Sequence, residues 1–369
     1  MSRLDELIAE LCPDGVEFKN LNEVCDISKG VQFNKKDMKD EGTYPVINGG
    51  INPSGYIEQY NCDENTITIS QGGASAGYVN YLTQKFWVGA HCYTLKPYKN
   101  VLNRYLYHFC KSNEYKLQEC QYGAGIPALA KSTIASLQIP VPPLEVQREI
   151  VRILDNFTEL TAELTAELTA RKQQYEYYCH SLFENANGIK MVTLDQISEN
   201  CDSQRKTVTS GNRKPGDIPY YGASGIVDYV EDYIFDGDYL LVSEDGANLL
   251  ARSTPIAFSI SGKTWVNNHA HVLRFDEYAT RRYVEMYLNS IDLSYYITGA
   301  AQPKLNQKNL NKIEIPLPDL EEQKRIIGIL DKLFDMCNSM FSGLPAEIEA
   351  RQKQYEYYRD KLLTFKPLS

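Results

Sequence analysis

The sequence predicts an α+β protein with a pseudo-two-fold internal repeat, in which two homologous α+β domains are separated by two long antiparallel helices that form a coiled coil. Three observations support this prediction. A proline-rich block occurs twice, apolar residues at helical spacing follow each copy, and the rest of each half resembles short β-strands joined by glycine-rich turns. A repeat of this kind sets the architecture before any single motif is considered.

The repeat consists of two shared blocks in the same order. The first is Ile139-Pro-Val-Pro-Pro-Leu-Glu-Val-Gln147, which returns as Ile315-Pro-Leu-Pro-Asp-Leu-Glu-Glu-Gln323. The second is Ala170-Arg-Lys-Gln-Gln-Tyr-Glu-Tyr-Tyr178, which returns as Ala350-Arg-Gln-Lys-Gln-Tyr-Glu-Tyr-Tyr358. Two ordered matches of this length do not arise by chance, so the chain is a tandem duplication.

A long helix is expected after each proline-rich block. Proline disfavours helix in the residue before it, so the block itself should be extended. The first helix is predicted over 144–184, about 60 Å at 1.5 Å per residue, and it cannot bury its apolar stripe alone. We therefore expect its repeat to pack against it in antiparallel orientation, although two independent surface helices would also fit the spacing. The stripes comprise Ile150, Leu154, Phe157, Thr161, Leu164, Leu168, Tyr175, Tyr178 and Leu182, and Ile326, Leu330, Leu333, Cys337, Met340, Leu344, Ile348, Tyr355, Tyr358 and Leu362.

The predicted boundaries are 1–143 for the first domain, 144–187 for the first long helix, 188–318 for the second domain and 319–369 for the second long helix. The second long helix has four extra residues around Gly343-Leu-Pro345, which should form either about one helical turn or a loop-like break. The first domain should begin with a short helix within 1–12 and contain a later helix over 103–118, which 281–289 matches in the second half. Its predicted strands are 44–47, 66–70, 77–82, 86–88 and 92–95.

Matching positions extend through the domains themselves. Ser243-x-x-Gly246 corresponds to Ser70-x-x-Gly73, and Trp265-Val-Asn-Asn-His269 corresponds to Trp87-Val-Gly-Ala-His91. We interpret both tryptophans as core residues. The loops diverge most between the halves, which is expected if the two domains bind different targets on one scaffold.

Composition limits the class of protein. The 369 residues are 43% hydrophobic, which allows real cores, and we see neither a signal peptide nor an apolar run long enough to cross a membrane. Nine scattered cysteines without a Cys-x-x-Cys pair favour reduced thiols in a cytoplasmic protein. The net charge of −10 argues against a wholly basic nucleic-acid coat but allows local DNA-binding patches.

Catalytic and metal-binding motifs are not found. The acidic residues and lysine within 14–19 are too close together for the two strands of a metal-dependent nuclease. Gly262-Lys-Thr264 lacks the leading glycine of a phosphate loop. No His-x-x-x-His metal pair is present. The sequence therefore predicts no catalytic residue and no metal ligand.

Several loops instead combine basic, amide and small residues. Lysine and arginine suit phosphates, whereas asparagine, glutamine and arginine can make the paired hydrogen bonds that distinguish base edges. Each loop alone would also fit an ordinary solvated loop, but the polar character recurs in both halves. The candidate DNA-binding residues are Lys29, Gln32, Asn34, Lys35, Lys36, Gln71, Ser75, Tyr78, Arg205, Lys206, Arg213, Lys214, Asn248 and Arg252.

With these residues in view, the chain resembles the specificity (S) subunit of a type I restriction–modification enzyme over essentially its whole length. The most telling parts are the two duplicated blocks and a Gly-Ala-x-x-Pro-x-Leu run at 123–129 that returns at 299–305. The Leu-Thr-Ala-Glu-Leu-Thr-Ala-Glu-Leu segment at 160–168 is similar to a tetrapeptide repeat in the central spacer of one subgroup. One departure is Ile126, where the second half has Gln302. The resemblance adds Gln302 and Lys304 to the DNA-binding candidates.

The resemblance implies two target-recognition domains, each reading half of a split double-stranded DNA target with an unread spacer between. Two methyltransferase (M) subunits would dock on this frame, and restriction (R) nuclease/translocase subunits would join them. No cofactor is expected in this chain, because S-adenosylmethionine, ATP and magnesium would belong to the partner subunits. Base flipping would likewise be carried out by the methyltransferase.

Two other functions fit parts of the sequence. A non-catalytic coiled-coil adaptor could bind protein or glycan partners through the same polar loops. A self-sufficient DNA-modifying enzyme is a second alternative, against which the missing catalytic and cofactor motifs argue.

Overall fold

The computed structural model describes residues 3–123, 125, 127–184, 189–299, 302–339 and 342–368. The chain divides into two compact units. The first contains the residues up to Thr165 together with those from Glu347 onward, and the second runs from Ala166 to Ala346. Within the described ranges, no helix has both the length and the apolar character that a membrane span requires.

The first unit begins as a mixed α+β fold. Its elements are α1 Arg3–Leu11, β1 Phe18–Asn20, α2 Leu21–Val24, β2 Cys25–Lys29, β3 Tyr44–Ile47, β4 Tyr56–Ile57, β5 Thr66–Ser70, β6 Val79–Leu82, β7 Trp87–Val88, β8 Cys92–Pro97, α3 Asn103–Ser112, α4 Glu114–Glu119, α5 Lys131–Ala135 and β9 Gln138–Pro140. An antiparallel sheet has the strand order β2-β8-β5-β6, and a smaller sheet has the order β4-β3-β7 with β3 parallel to β7. β1 pairs with β9, so the proline-rich block is extended, as predicted.

The helix α6, Leu144–Glu184, follows without interruption and passes from the first unit into the second. The second unit then repeats the order of the first. Its elements are β10 Met191–Thr193, α7 Leu194–Ile197, β11 Glu199–Asn200, β12 Pro215–Gly222, β13 Gly225–Val230, β14 Phe235–Asp236, β15 Tyr239–Ser243, α8 Asn248–Ala251, β16 Ala257–Ile260, β17 Lys263–Val266, β18 Ala270–Arg274, α9 Tyr278–Ser290, α10 Gln307–Leu310, β19 Glu314–Pro316, α11 Leu320–Asn338 and the start of α12, Leu344–Leu362. The main sheet, β11-β18-β15-β16, has the order of its counterpart, and β12 is parallel to β17 as β3 is to β7.

Two predicted helices are divided. The helix expected over 103–118 stops at α3 and resumes as α4, because Asn113 donates its side-chain amide to the carbonyl of Phe109 at 2.9 Å and so competes with the helical bonds. The second long helix, expected within 319–369, is α11 followed by α12. An added Cβ at Gly343 would lie 2.7 Å from the carbonyl oxygen of Asp335, so the break requires this glycine.

The apolar stripes pack as predicted within each unit. In the second unit Tyr175 of α6 contacts Phe334 of α11 at 6.0 Å between ring centres. Burial raises the pKa of the Cys337 thiol, and the nearby charge of Lys172 opposes this rise. Positions 172 and 175 therefore face 337 and 334, which is antiparallel packing. Met340, also expected in the stripe, lies outside the described residues.

The first unit uses the same helix surface against the C-terminal segment. Phe157 of α6 stacks on Tyr358 of α12 with 5.4 Å between ring centres. Leu363 is buried in the core of this unit. Val16 donates its N–H to the carbonyl of Lys366 at 2.9 Å, so the C-terminal residues close the first unit beside its beginning.

Glutamines of the duplicated block fix each α+β fold to its helix. Gln147 donates to the carbonyl of Pro142 at 2.8 Å and accepts from the N–H of Leu102, just before α3, at 2.8 Å. Gln323 donates to the carbonyl of Pro318 at 2.8 Å and accepts from a threonine hydroxyl at the start of α9 at 3.0 Å. The same side chain thus ties the proline-rich turn to the domain in both units.

An ion pair strengthens the same joint in both units. Arg104 of α3 meets Asp155 of α6 at 2.5 Å, and Arg282 of α9 meets Asp331 of α11 at 2.6 Å. Both aspartates belong to the Ile-Leu-Asp sequence that follows the proline-rich block.

Candidate nucleic-acid interface

One edge of the main sheet in the first unit collects the predicted loops. β2 and β5 both run antiparallel to β8, pairing Lys29 with Tyr93 and Ser70 with Cys92. The ends of β2 and β5 therefore lie beside the start of β8. We call this border, with the loops that leave it, the loop edge.

A hairpin completes the loop edge of the first unit. Tyr122 and Ala128 exchange two backbone hydrogen bonds of 2.9 Å, and the N–H of Leu129 donates to the carbonyl of Gln71 at 2.7 Å. The hairpin is the 123–129 run noted in the sequence. Ile126, where the two halves differ, lies outside the described residues.

The second unit has a loop edge of the same construction. Ser243 at the end of β15 pairs with Ala270 at the start of β18. Thr298 and Lys304 close the matching hairpin, and Asp245 bridges to Lys304. Corresponding loops that are far apart in sequence thus converge in both units.

Nine of the predicted DNA-binding residues are exposed. They are Lys29, Gln32, Asn34, Lys35 and Lys36 in the first unit, and Lys206, Lys214, Gln302 and Lys304 in the second. Asn34 accepts a hydrogen bond from the N–H of Lys36 at 3.2 Å and so begins a short 3-10 helix, Lys35–Asp37. This turn presents the two lysines side by side to solvent.

Three predicted residues of the first unit are only partly accessible. Gln71, Ser75 and Tyr78 are half-buried. The ammonium of Lys111 lies 4.5 Å from the centre of the Tyr78 ring. The side-chain oxygen of Gln71 is buried, and among the described residues no donor reaches it. These three residues line the base of the loop edge rather than its outer surface.

The predicted arginines of the second unit are partly buried and are bonded within the protein. Arg213 pairs with Asp228 at 2.9 Å and lies 4.3 Å from the Tyr220 ring centre. Arg252 donates to the carbonyl of Leu288 at 3.2 Å and so caps the end of α9. Burial lowers the pKa of its guanidinium.

Asn248 is likewise committed to its own loop. Its side-chain oxygen accepts from the hydroxyl of Ser253 at 2.9 Å and from the N–H of Thr254 at 3.1 Å. The amide therefore stabilises the turn after α8.

Arg205 belongs to an ion network beneath the second loop edge. It meets Glu244 at 2.6 Å, and Lys304 meets the other oxygen of that carboxylate at 3.0 Å. His271 bonds Asp202 at 2.6 Å. Burial alone would raise the pKa of both carboxyls, but the bond from His271 to Asp202 and those from Arg205 and Lys304 to Glu244 lower each pKa below its ordinary value.

The same network has the composition of a candidate cation site. Ligand atoms of Asp202, Glu244 and His271 all lie within 4.8 Å of one another. Two basic side chains are already bonded to Glu244, and they compensate the carboxylates from within the protein. We therefore interpret the cluster as a structural support for the hairpin that carries Lys304.

The first unit supports its hairpin with neutral groups. Tyr93 occupies the position of His271, and its hydroxyl donates to the carbonyl of Leu129 at 3.3 Å. His271 bonds the matching carbonyl of Leu305 at 2.7 Å. In both units a side chain at this position bonds the hairpin carbonyl, but only in the second unit is that side chain part of a network of charged groups.

Sequence reasoning missed two exposed histidines at the loop edges. The N–H of His91 donates to the side chain of Asn48 at 3.2 Å, and His269 bonds Asp245 at 2.8 Å. The signal was the repeated Trp-Val-x-x-His segment, in which the tryptophans were interpreted as core residues and the histidines were considered only as metal ligands. His271, two residues further along the chain, is buried.

The tryptophans differ from the prediction that they are core residues. Trp87 and Trp265 are half-buried, and each donates its indole N–H to a loop carbonyl. An indole with a polar edge is suited to such a boundary between core and solvent.

Known proteins resemble this chain over nearly its full length. It is 32% identical to a putative type I restriction enzyme specificity subunit of Haemophilus influenzae, over 95% of this chain and 96% of that protein. It is 30% identical to the EcoR124I/EcoR124II type I specificity subunit of Escherichia coli, over 99% and 97% of the two chains. The crystal structure of a type I S subunit from M. genitalium has the same fold, with a TM-score of 0.63 and 21% identity over 95% and 96% of the two chains.

The family model described as the type I restriction modification DNA specificity domain matches twice, over residues 13–171 and 187–350. The two matches follow the internal repeat. The predicted fold class, with its two homologous α+β halves, is confirmed by this double match and by the solved fold. The chain therefore belongs to the family of type I restriction–modification DNA specificity subunits, the non-catalytic component of these systems.

Proposed function

We propose that each unit reads one half of a split double-stranded DNA target through its loop edge, and that the chain presents this target to methyltransferase subunits. The observation that supports this most is the recurrence of the loop edge. Both units build it from the same strand ends and the same hairpin, yet the side chains exposed on it differ. One frame with two sets of exposed groups suits two different half-sites.

The exposed residues divide by chemistry into two roles. Lys35, Lys36 and Lys206 supply positive charge for phosphates, which positions the DNA without reading its sequence. Gln32 and Gln302 carry amides that can pair with base edges, where a good paired contact contributes about 1–3 kcal/mol of discrimination. The partly buried arginines, Arg205, Arg213 and Arg252, stabilise the loops through bonds within the protein.

The partners follow from the function. Two methyltransferase subunits would bind the two similar halves, and restriction subunits with nuclease and translocase activity would join that complex. These partners would bring S-adenosylmethionine, ATP and magnesium. The adenine would be flipped out and methylated by the partner, since this chain contributes recognition only.

Sequencing of methylated adenines in a cell that carries this chain and its partner subunits tests the proposal. We expect one split motif with a fixed gap. Gln302→Ala should relax the bases of one half-site only. A continuous motif, or a motif that changes in both halves, would contradict the assignment of one half-site to each unit.

Binding measured against salt separates DNA recognition from an adaptor function. The complex with methyltransferase subunits should lose DNA affinity steeply as salt rises, because each phosphate contact releases counterions. Replacing Lys35 and Lys36 by alanine should reduce the slope by roughly two. Absence of DNA binding by the assembled complex at low salt would favour the adaptor.

A further inference from the structure

The indole of Trp87 holds the loop that follows β2, which carries the candidate DNA-binding residues at 32–36. Its Nε1–H donates to the carbonyl of Val31 at 3.2 Å. The N–H of Val31 in turn donates to the carbonyl of Val88, the next residue after the tryptophan, at 3.0 Å. Both backbone groups of one loop residue are therefore fixed by two consecutive residues of β7.

Trp265 makes the same pair of bonds in the second unit. Its Nε1–H donates to the carbonyl of Lys206 at 2.6 Å, and the N–H of Lys206 donates to the carbonyl of Val266 at 3.3 Å. β17, which carries Trp265, is parallel to β12 as β7 is to β3. The indole clamp, meaning these two bonds in each unit, is thus a repeated construction.

The loops beyond the clamp are different in the two units. The first continues as Gln-Phe-Asn-Lys-Lys over 32–36, with the ring of Phe33 5.1 Å from that of Trp87. The second continues over 207–214, and the ring of Trp265 stacks on Tyr220 with 6.4 Å between centres. The clamp is common, whereas the residues it directs toward solvent are specific to each unit.

We propose that Trp87 and Trp265 are positioning residues for DNA reading, each setting where its recognition loop leaves the sheet and hence which base edges that loop can reach. This inference rests on the proposed function of the loop edges. Both indoles are half-buried, so their N–H groups could be satisfied by water, and core packing alone does not require the loop carbonyl as a partner. A loop fixed at one residue by two hydrogen bonds keeps its side chains in register with the bases.

The test uses the chain assembled with its methyltransferase subunits, acting on a DNA library with randomised half-sites. Trp265→Phe keeps an aromatic ring and removes the donor. We expect it to reduce base discrimination roughly tenfold in one half-site, about the value of one good base contact, and to leave the other half-site and the gap unchanged. Trp87→Phe should reduce discrimination in the other half-site and leave the first unchanged, so each variant is the matched control for the other.

Full discrimination in both half-sites of both variants would overturn the inference, as would equal loss in the two half-sites of a single variant. If the wild-type complex itself methylates no split motif, the proposed function fails instead. A purely structural role would lower the thermal unfolding midpoint and the total methylation without changing base preference.

A second experiment does not depend on the folding of the phenylalanine variants. The chain has two tryptophans, so biosynthetic replacement by benzothienylalanine, which has sulfur in place of the indole N–H, removes both donors and retains the ring shape. This chain is labelled alone and then assembled with unlabelled partners. Both half-sites should relax together, and unchanged discrimination in the folded complex would refute the clamp.

Discussion

One residue of the domain–helix joint differs between the units. His108 on α3 is fully buried, with Nε2 2.7 Å from Asp155 and Nδ1 3.0 Å from the Tyr355 hydroxyl. The matching position on α9 is Met286, since Tyr105 and Tyr283 occupy equivalent places before them. The first unit therefore contains a titratable group where the second contains an apolar one.

Acid should weaken the first unit through His108. Burial lowers the pKa of His108, an effect that the hydrogen bond to Asp155 opposes only in part. In the unfolded chain His108 binds a proton near pH 6.5, whereas in the folded chain it stays neutral to a lower pH. The contribution of neutral, buried His108 to the free energy of unfolding is therefore full above about pH 6.5 and is lost as pH falls toward the pKa of the folded state. We expect a loss of up to about 1.4 kcal/mol per pH unit, and His108→Met should flatten the dependence of the urea midpoint between about pH 7 and 5.

The carboxylate of Asp155, which is bonded to His108, titrates in a different pH range and so does not affect this measurement. Burial would raise the pKa of Asp155, but hydrogen bonds from His108 and Arg104 lower it below its ordinary value. Its contribution is present above about pH 3.9 and is lost below it, outside the window of the histidine. Parallel curves for wild type and His108→Met would show that His108 does not titrate as described.

Sequence could predict the loops that carry polar residues but not the direction of each side chain. Arg205 and Lys36 occupy loops of similar composition, yet Arg205 is partly buried and bonded to Glu244, whereas Lys36 is exposed. The partner of Arg205 lies on another strand, and local composition contains no information about it. The tryptophans were misjudged for the same reason, because the carbonyl that each indole meets is distant in sequence.

At the level of elements, the prediction was most accurate where local chemistry and burial agree. The strands Tyr44–Ile47 and Thr66–Ser70 have the predicted bounds, since apolar β-branched residues and turn signals mark them. The break after α3 was not predicted, and the break after α11 was predicted only as one of two alternatives, a further helical turn or a loop-like break. They depend on one amide bond of Asn113 and on the steric limit at Gly343, which periodicity does not register.

The turn between α11 and α12 should be sensitive to one methyl group. Gly343→Ala would place a Cβ 2.7 Å from the carbonyl of Asp335 and 2.8 Å from that of Ser339. We expect a loss of about 1–3 kcal/mol, since such overlap forces the backbone to shift. Urea unfolding of the two proteins measures this change.

Gly328 is the control for that substitution. It lies in the middle of α11 with no atom within 4 Å of an added Cβ. Gly328→Ala should therefore raise the urea midpoint, because alanine stabilises a helix interior by about 0.5–1 kcal/mol relative to glycine. If both alanine variants shifted the midpoint in the same direction, the steric account of Gly343 would be wrong.

At the scale of the whole molecule, α6 connects the first unit to the second. Its middle contains the Thr-Ala-Glu-Leu repeats, and the helix is continuous through them. Inserting one further Thr-Ala-Glu-Leu should lengthen α6 by about 6 Å and add about 40° of rotation. Since a base pair advances about 3.4 Å, we expect the unread gap to grow by one or two base pairs.

The half-sites themselves should stay the same in that insertion variant, because neither loop edge is altered. Mapping its methylated adenines measures gap and half-sites together. A substitution of Thr-Ala-Glu-Leu in place, without added residues, should leave the gap unchanged. An altered half-site in the longer protein would show that α6 does more than set a distance.

The closing of the first unit by Lys366 and Leu363 has a consequence for biosynthesis. A ribosome releases the chain from its N-terminus, so all of the second unit is available for folding before these residues emerge. A chain truncated near Glu347 contains every residue of the second unit but lacks the C-terminal residues of the first. The first unit, although its synthesis begins first, therefore receives its last residues only after the second unit has been synthesised in full.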